Sequence, residues 1–227
     1  MTIGNGDLSQ RREECRDMRQ TTTHIVHFNL AQIKSHFDEN LEAIISLGSI
    51  ADAIVVEKPR EAEAIWRAQF LLVEGALDFY MHELSKYGIQ KMFNNEWAST
   101  ESFANLKVPM SKVVSAINHP ESLEWLMEYA NDKVSHEVYL EPGEIKKQCS
   151  LLDIHFDDAC NKASAKCKAK LKELYQRRNQ IAHQMDRRHE DASLEIMTKH
   201  IVTDAIDVIQ RFVRELHIAA ENRELTN

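Results

Sequence analysis

The sequence predicts an all-α fold, a helical bundle, and three observations carry that prediction. Glycine (6) and proline (4) are scarce among 227 residues. Long stretches are built from Ala, Leu, Glu, Lys, Gln and Met, the residues that lose least entropy in a helix. Apolar residues recur in several segments at three- and four-residue steps, the period of an amphipathic helix. With 43% of residues apolar, the chain can bury a core without help from disulfides, and its length suits one domain of residues 1–227 carrying an inserted elaboration.

Residues 1–20 are polar and charged, contain Gly4 and Gly6, and carry no motif; they are expected to be flexible. From Asn29 to Ala53, Leu30, Ile33, Phe37, Leu41, Ile44, Ile45 and Leu47 recur at three- and four-residue steps and mark a first amphipathic helix. A second helix follows Pro59 and runs to about Tyr87. It has apolar residues on more than one face, as in a helix packed on several sides. Residues 93–143 hold three of the four prolines, Pro109, Pro120 and Pro142, and shorter helical pieces at Lys112–Asn118 and Glu121–Tyr139. Asn118-His119-Pro120-Glu121 reads as a stop and a restart with proline near the first turn. This section is expected to elaborate the core rather than form a second domain.

Residues 144–216 carry the clearest pattern. A short helix over Glu144–Leu152 and a connection at Asp153–Asp157 lead into one long helix, Asp157–Ala182. A polar run from Gln184 to Asp191 follows, and then a last helix from Leu194 to Leu216. Two long antiparallel helices joined by a short polar loop are the expected outcome. There is no internal repeat, low-complexity segment or sustained heptad.

No run of about eighteen apolar residues is present, and Met1–Glu14 lacks the basic-then-apolar pattern of a signal peptide. The expectation is a cytoplasmic protein with no membrane association. Cys15, Cys149, Cys160 and Cys167 show no CxxC spacing, which suits reduced thiols. Cys160 and Cys167 lie two helical turns apart, a spacing read as packing.

The formal net charge of −8 argues against a general nucleic-acid coat. Its distribution is uneven. Between Cys160 and Glu190 nine Lys and Arg stand against three acids, a local +6, so the remainder carries −14. A basic stripe on an acidic body suits a focused anion site; for the lysines, a solvated helical face fits equally well.

At the end of the expected long helix stands Arg177-Arg178-Asn179-Gln180-Ile181-Ala182-His183. Arg178 and His183 have the spacing Arg-x4-His, with polar Asn179 after the arginine. The pattern, with a charged helix before it and an amphipathic one after it, resembles the HEPN superfamily (higher eukaryotes and prokaryotes nucleotide-binding), most closely its RiboL-PSP-HEPN branch. The likeness is firmest over Glu144–Leu216. It implies a HEPN-like helical bundle, a symmetric homodimer with a composite site, and a metal-independent endoribonuclease needing no cofactor. By the same resemblance the setting is bacterial defence or a toxin, with RNA as substrate and an antitoxin or other defence-system protein as a further partner.

The chemistry is independent of the name. Metal-free RNA cleavage needs a 2′-hydroxyl deprotonated, a departing 5′-oxygen protonated, and a phosphorane stabilised between them. Histidine can serve as acid or base near neutral pH. Arginine stays charged and grips two phosphate oxygens at once. His183 and Arg178 are therefore the candidate catalytic pair, and Asn179 supports them by orienting the pair or the phosphate. Arg177, Arg187 and Arg188 are candidate RNA-binding helpers. The plainer alternative makes Arg178 a surface residue and His183 a favourable charge near a helix carboxyl end. A five-residue step rotates about 140°, so convergence is easier if the helix ends near His183. A second alternative is a catalytically inactive module of the same family that binds RNA, a nucleotide or a partner protein.

Toxins of this superfamily paired with nucleotidyltransferase antitoxins resemble Arg-x4-His-x-Tyr; here that position is Met185, so control by modification of the tyrosine is not expected. Gln184 stands where the favoured branch commonly has glycine. His24, His27 and His36 lack a carboxylate or cysteine at suitable spacing, so no metal site is expected. GxGxxG, phosphate-loop, HExxH and Gly-x-Ser-x-Gly motifs are absent. Glu74 and Asp78, one turn apart, fit a buried acidic pair, but the expectation is that they are solvated or satisfied by the basic helix.

Overall fold

The computed structural model describes residues 27–135 and 137–225, and among them there are nine helices and no strand. The region 1–20 expected to be flexible, and His24, lie outside the described residues. Helix α1 (Leu30–Ile54) begins at Asn29, whose side chain accepts from the Gln32 backbone N–H at 2.9 Å while Gln32 reaches back to the Asn29 N–H at 3.0 Å. This reciprocal cap satisfies two of the orphan donors at the helix start. Pro59 opens α2 (Pro59–Phe93) at its first turn, where a missing N–H costs nothing. Over 35 residues, α2 buries side chains on several faces and forms the axis of the bundle.

Three pieces follow: α3 (Glu101–Ala104), α4 (Met110–Asn118) and α5 (Glu124–Ser135). Leu126, Tyr129 and Ala130 of α5 form a small second core with Ile89 and Leu151, and Trp125 packs edge-on against Phe93. Helix α5 starts later than the sequence suggests, and Pro120 sits in a turn instead of a first helical turn. Arg223 ties this region to the end of the chain. It is 8% exposed, donates to the carbonyls of Leu152 and Ala98, and lies over the Trp97 ring.

Helices α6 (Pro142–Leu151), α7 (Phe156–Ala163), α8 (Cys167–Gln184) and α9 (Lys199–Leu225) complete the bundle. The single helix expected from Asp157 to Ala182 is in fact two, interrupted where Ser164 adopts an extended backbone (φ −172°, ψ 155°). Nothing in Lys-Ala-Ser-Ala-Lys signals a break. The cause is packing: α7 lies on α9, with Phe156 edge-on to Phe212, whereas α8 runs on along α2. The buried thiols of Cys160 and Cys167 meet across the break as free cysteines. Helix α9 begins five residues later than expected, because Leu194 pairs with Arg187 in an isolated antiparallel bridge. Leu30, Phe37, Tyr80, Phe212 and Leu216 lie in one continuous core.

Candidate functional site

Helix α8 ends one residue after His183, and the way it ends sets the site. Met185 (φ 52°) and Asp186 (φ 62°) are both left-handed, a conformation costly for residues with a Cβ. The Asp186 N–H bonds back to the Gln180 carbonyl at 3.2 Å, closing the last turn in the manner of a Schellman motif. Asp186 explains how this is sustained. Its side chain is fully buried and its Oδ2 accepts from Arg67 Nε of α2 at 2.8 Å and from Arg177 Nη2 at 2.9 Å. Arg67 also donates to the Glu195 carbonyl, and Arg177 to that of Ile196 at 3.1 Å. One carboxylate thus holds two guanidiniums, and they in turn fasten both ends of the loop between α8 and α9.

Arg177 is therefore committed to the buried Asp186, with part of its side chain still exposed. Its neighbour Arg178 lies 100° further round the helix. It is half-buried, and its Nη1 donates to Asn179 Oδ1 at 3.0 Å. Across from it on α2 stands Glu74. Glu74 is 3% exposed, and its Oε2 has no hydrogen-bond partner among the described residues. Burial pushes its carboxyl up to about 8; the charge of nearby Asp78 adds to this and that of Arg178 opposes it. The expectation that Glu74 is solvated or satisfied thus fails: it is dry, its Oε2 unpaired, and felt by Arg178 at a distance. Asp78 accepts the Tyr139 N–H at 2.7 Å and so pins the chain entering α6.

His183 is exposed. With Asn179 and Gln180 it lines an open cavity of about 410 Å³, closed on its other side by the loop that carries Arg187 and Arg188. Arg178, which bonds to Asn179, is not among the residues that line this cavity. Arg187 donates to the Ala192 carbonyl at 2.5 Å, and Arg188 pairs with both oxygens of Glu195 at 2.8 and 3.1 Å. Much of the basic stripe is likewise matched: Lys168 to Asp157 and Lys170 to Asp204, at 2.8 and 3.0 Å. A paired, solvated face thus accounts for these lysines.

Asp186 and Arg67 went unrecognised in the sequence. Asp186 is one acid in a polar run, and Arg67 stands 119 residues from it in the chain; no local pattern links them. Among the described residues no group of His, Cys, Asp and Glu is arranged to hold a metal ion, and no helix is long and apolar enough to cross a membrane. No match to the chain was found among curated proteins or among solved structures. The family model described as RiboL-PSP-HEPN matches residues 32–222, nearly the whole chain, and the protein belongs to that family.

Proposed function

We propose that the protein is a metal-independent endoribonuclease whose site is completed by a second copy of the chain. The observation that carries the reading is the end of α8. His183 stands exposed on the last turn of a helix whose termination is locked by Asp186, with Arg178 five residues behind it. A rigid helix end is a suitable platform for general acid–base chemistry, which needs its donor held within hydrogen-bond reach. In the proposed reaction the ribose 2′-oxygen attacks phosphorus, the bond to the 5′-oxygen breaks, and a 2′,3′-cyclic phosphate and a 5′-hydroxyl result. His183 exchanges the proton and Arg178 stabilises the negative charge on the phosphorane. Asn179 orients Arg178 through their hydrogen bond.

Exposed apolar residues near the motif support a two-fold arrangement, in which each motif completes the other. Met185, Leu194 and Ile196, which are 74%, 46% and 68% exposed, surround the motif and offer an apolar face for a second copy. A role in bacterial defence or as a toxin, with a restraining partner, is part of this proposal and rests on the family alone.

A second reading, a catalytically inactive module binding RNA or a partner protein, draws on the same family membership. One experiment divides the two. Purified protein is incubated with mixed RNA in a chelator beside His183→Ala and Arg178→Ala. The proposal expects cleavage by the parent protein, cyclic-phosphate ends, and a loss of about a hundredfold or more in each variant. Equal cleavage by all three overturns the assignment, and RNA binding without cleavage by any favours the inactive module.

A further inference from the structure

The face of α8 that carries His183 carries three glutamines. Gln176, Gln180 and Gln184 recur every fourth residue, so each lies about 40° round the helix from the last, with His183 about 20° beyond Gln176 on the same face. All three line the cavity of about 410 Å³ into which His183 opens, a size within the range of roughly 300–1,000 Å³ usual for small-ligand sites. Their carboxamides make no hydrogen bond to any described residue. The charged groups of the same cavity are in the opposite state. Arg187 is bound to the Ala192 carbonyl, and Arg188 is neutralised by Glu195. The cavity thus offers uncommitted neutral donors and acceptors next to the histidine, while its arginines are engaged and Glu190 adds negative charge that disfavours phosphate.

We propose that this cavity is a nucleobase pocket, selective for adenine in the nucleotide beside the bond that His183 acts on. A phosphate calls for free cations, whereas a base edge calls for neutral donor and acceptor pairs. A carboxamide presents one N–H donor beside one carbonyl acceptor. Its complement is an edge with one acceptor beside one donor. Cytosine, uracil and guanine present such a pair only on the Watson–Crick edge, whereas adenine has one there, N6–H with N1, and another on its N7 edge, N6–H with N7. Guanine presents two acceptors, O6 and N7, on the latter edge and suits an arginine fork instead. A single-stranded RNA leaves both adenine edges open, so two glutamines one turn apart can grip one base.

This inference rests on the reading of the site as one that takes RNA, but it does not need the RNA to be cut. Its test is therefore binding by the His183→Ala protein. Fluorescence anisotropy is measured with labelled oligouridylates that carry a single central A, C, G or U, so the phosphate contribution is constant and only the base differs. The oligomer with A is expected to bind about tenfold more tightly than that with U. Gln180→Leu and Gln176→Leu, each introduced separately and checked for an unchanged melting temperature, are expected to remove most of that preference and leave the all-U affinity unchanged. Equal binding of all four oligomers, or a preference that survives both glutamine substitutions, overturns the pocket. Cleavage by the parent protein with no base preference in binding leaves the nuclease standing without the pocket. Preference without cleavage leaves the pocket standing without the nuclease.

Discussion

Replacing Glu74 by Gln tests the electrostatics beneath the motif, because it keeps the shape of the side chain and removes its ability to ionise. Glu74 is buried in α2 with its carboxyl shifted from an ordinary 4.5 to about 8, chiefly by loss of water. The folded protein therefore binds a proton that the unfolded chain has released between those two values. Stability contributed by the neutral form is complete below about pH 4.5 and is lost as pH rises through about 8. Within that window the loss approaches ~1.4 kcal/mol per pH unit. Between pH 5.5 and 8 the parent protein should lose about 3 kcal/mol relative to Glu74→Gln. The assay is urea unfolding of both proteins at half-unit steps from pH 5 to 9, read as the difference between them so that other titrations cancel. Stability of the Gln variant minus that of the parent should rise with pH and level off above the shifted value. In an Arg178→Met background, where the opposing positive charge is gone, the levelling-off should move to higher pH. A flat difference curve refutes the reasoning, since it means that Glu74 ionises normally and is paired.

Four further substitutions probe the packing and the frame around the site. Asp186→Asn removes the carboxylate shared by Arg67 and Arg177 and should cost about 3 kcal/mol in denaturant unfolding; a loss under about 1 kcal/mol would mean the two arginines find other partners. A Cβ at Gly88 would lie 2.3 Å from Leu152 Cδ2 and 3.1 Å from Trp97 Cζ3. Both residues are buried, so Gly88→Ala should destabilise by about 1–3 kcal/mol. Exposed Gly75 on the same helix has no atom within 4 Å of the added carbon, and Gly75→Ala should instead stabilise by about 0.5–1 kcal/mol; equal effects at the two positions would refute the packing argument. Ile196→Asp places a charge on the exposed apolar face beside the motif and should shift the sedimentation profile from dimer to monomer with loss of cleavage. A dimer that persists would place the two-fold axis elsewhere.

The helices were largely legible in the sequence because their evidence is local. The start of α1 is written in Asn29 and Gln32, and of its apolar residues at three- and four-residue steps Leu30, Ile33, Phe37, Leu41 and Ile44 are buried while Ile45 is exposed and Leu47 half-buried. The start of α2 is written in Pro59. What was illegible depends on partners distant in the chain. The interruption at Ser164 follows from two helices, α9 and α2, competing for successive faces of one helix-forming stretch. The late start of α9 follows from Leu194 pairing across the loop with Arg187 and from the carbonyls of Glu195 and Ile196 being held by Arg67 and Arg177.

The same division separates the two adjacent arginines of the motif. In sequence they are alike, and only the spacing to His183 singles out Arg178. In the fold, one residue of helix, or 100° of rotation, sends Arg177 to a fully buried carboxylate and leaves Arg178 beside a carboxyl that burial keeps largely neutral at pH 7. A guanidinium already bound to a carboxylate has little left to offer a phosphate, because the two anions compete for the same fork of donors. Arg178 faces no ionised carboxylate as its hydrogen-bond partner; its bond is to the neutral Asn179 amide, which an incoming phosphate can displace at small cost. Glu74 thus matters to the site by staying protonated. Were it ionised, it would draw Arg178 toward α2 and away from any substrate, which is why the pH dependence of Glu74→Gln bears on function as well as on stability.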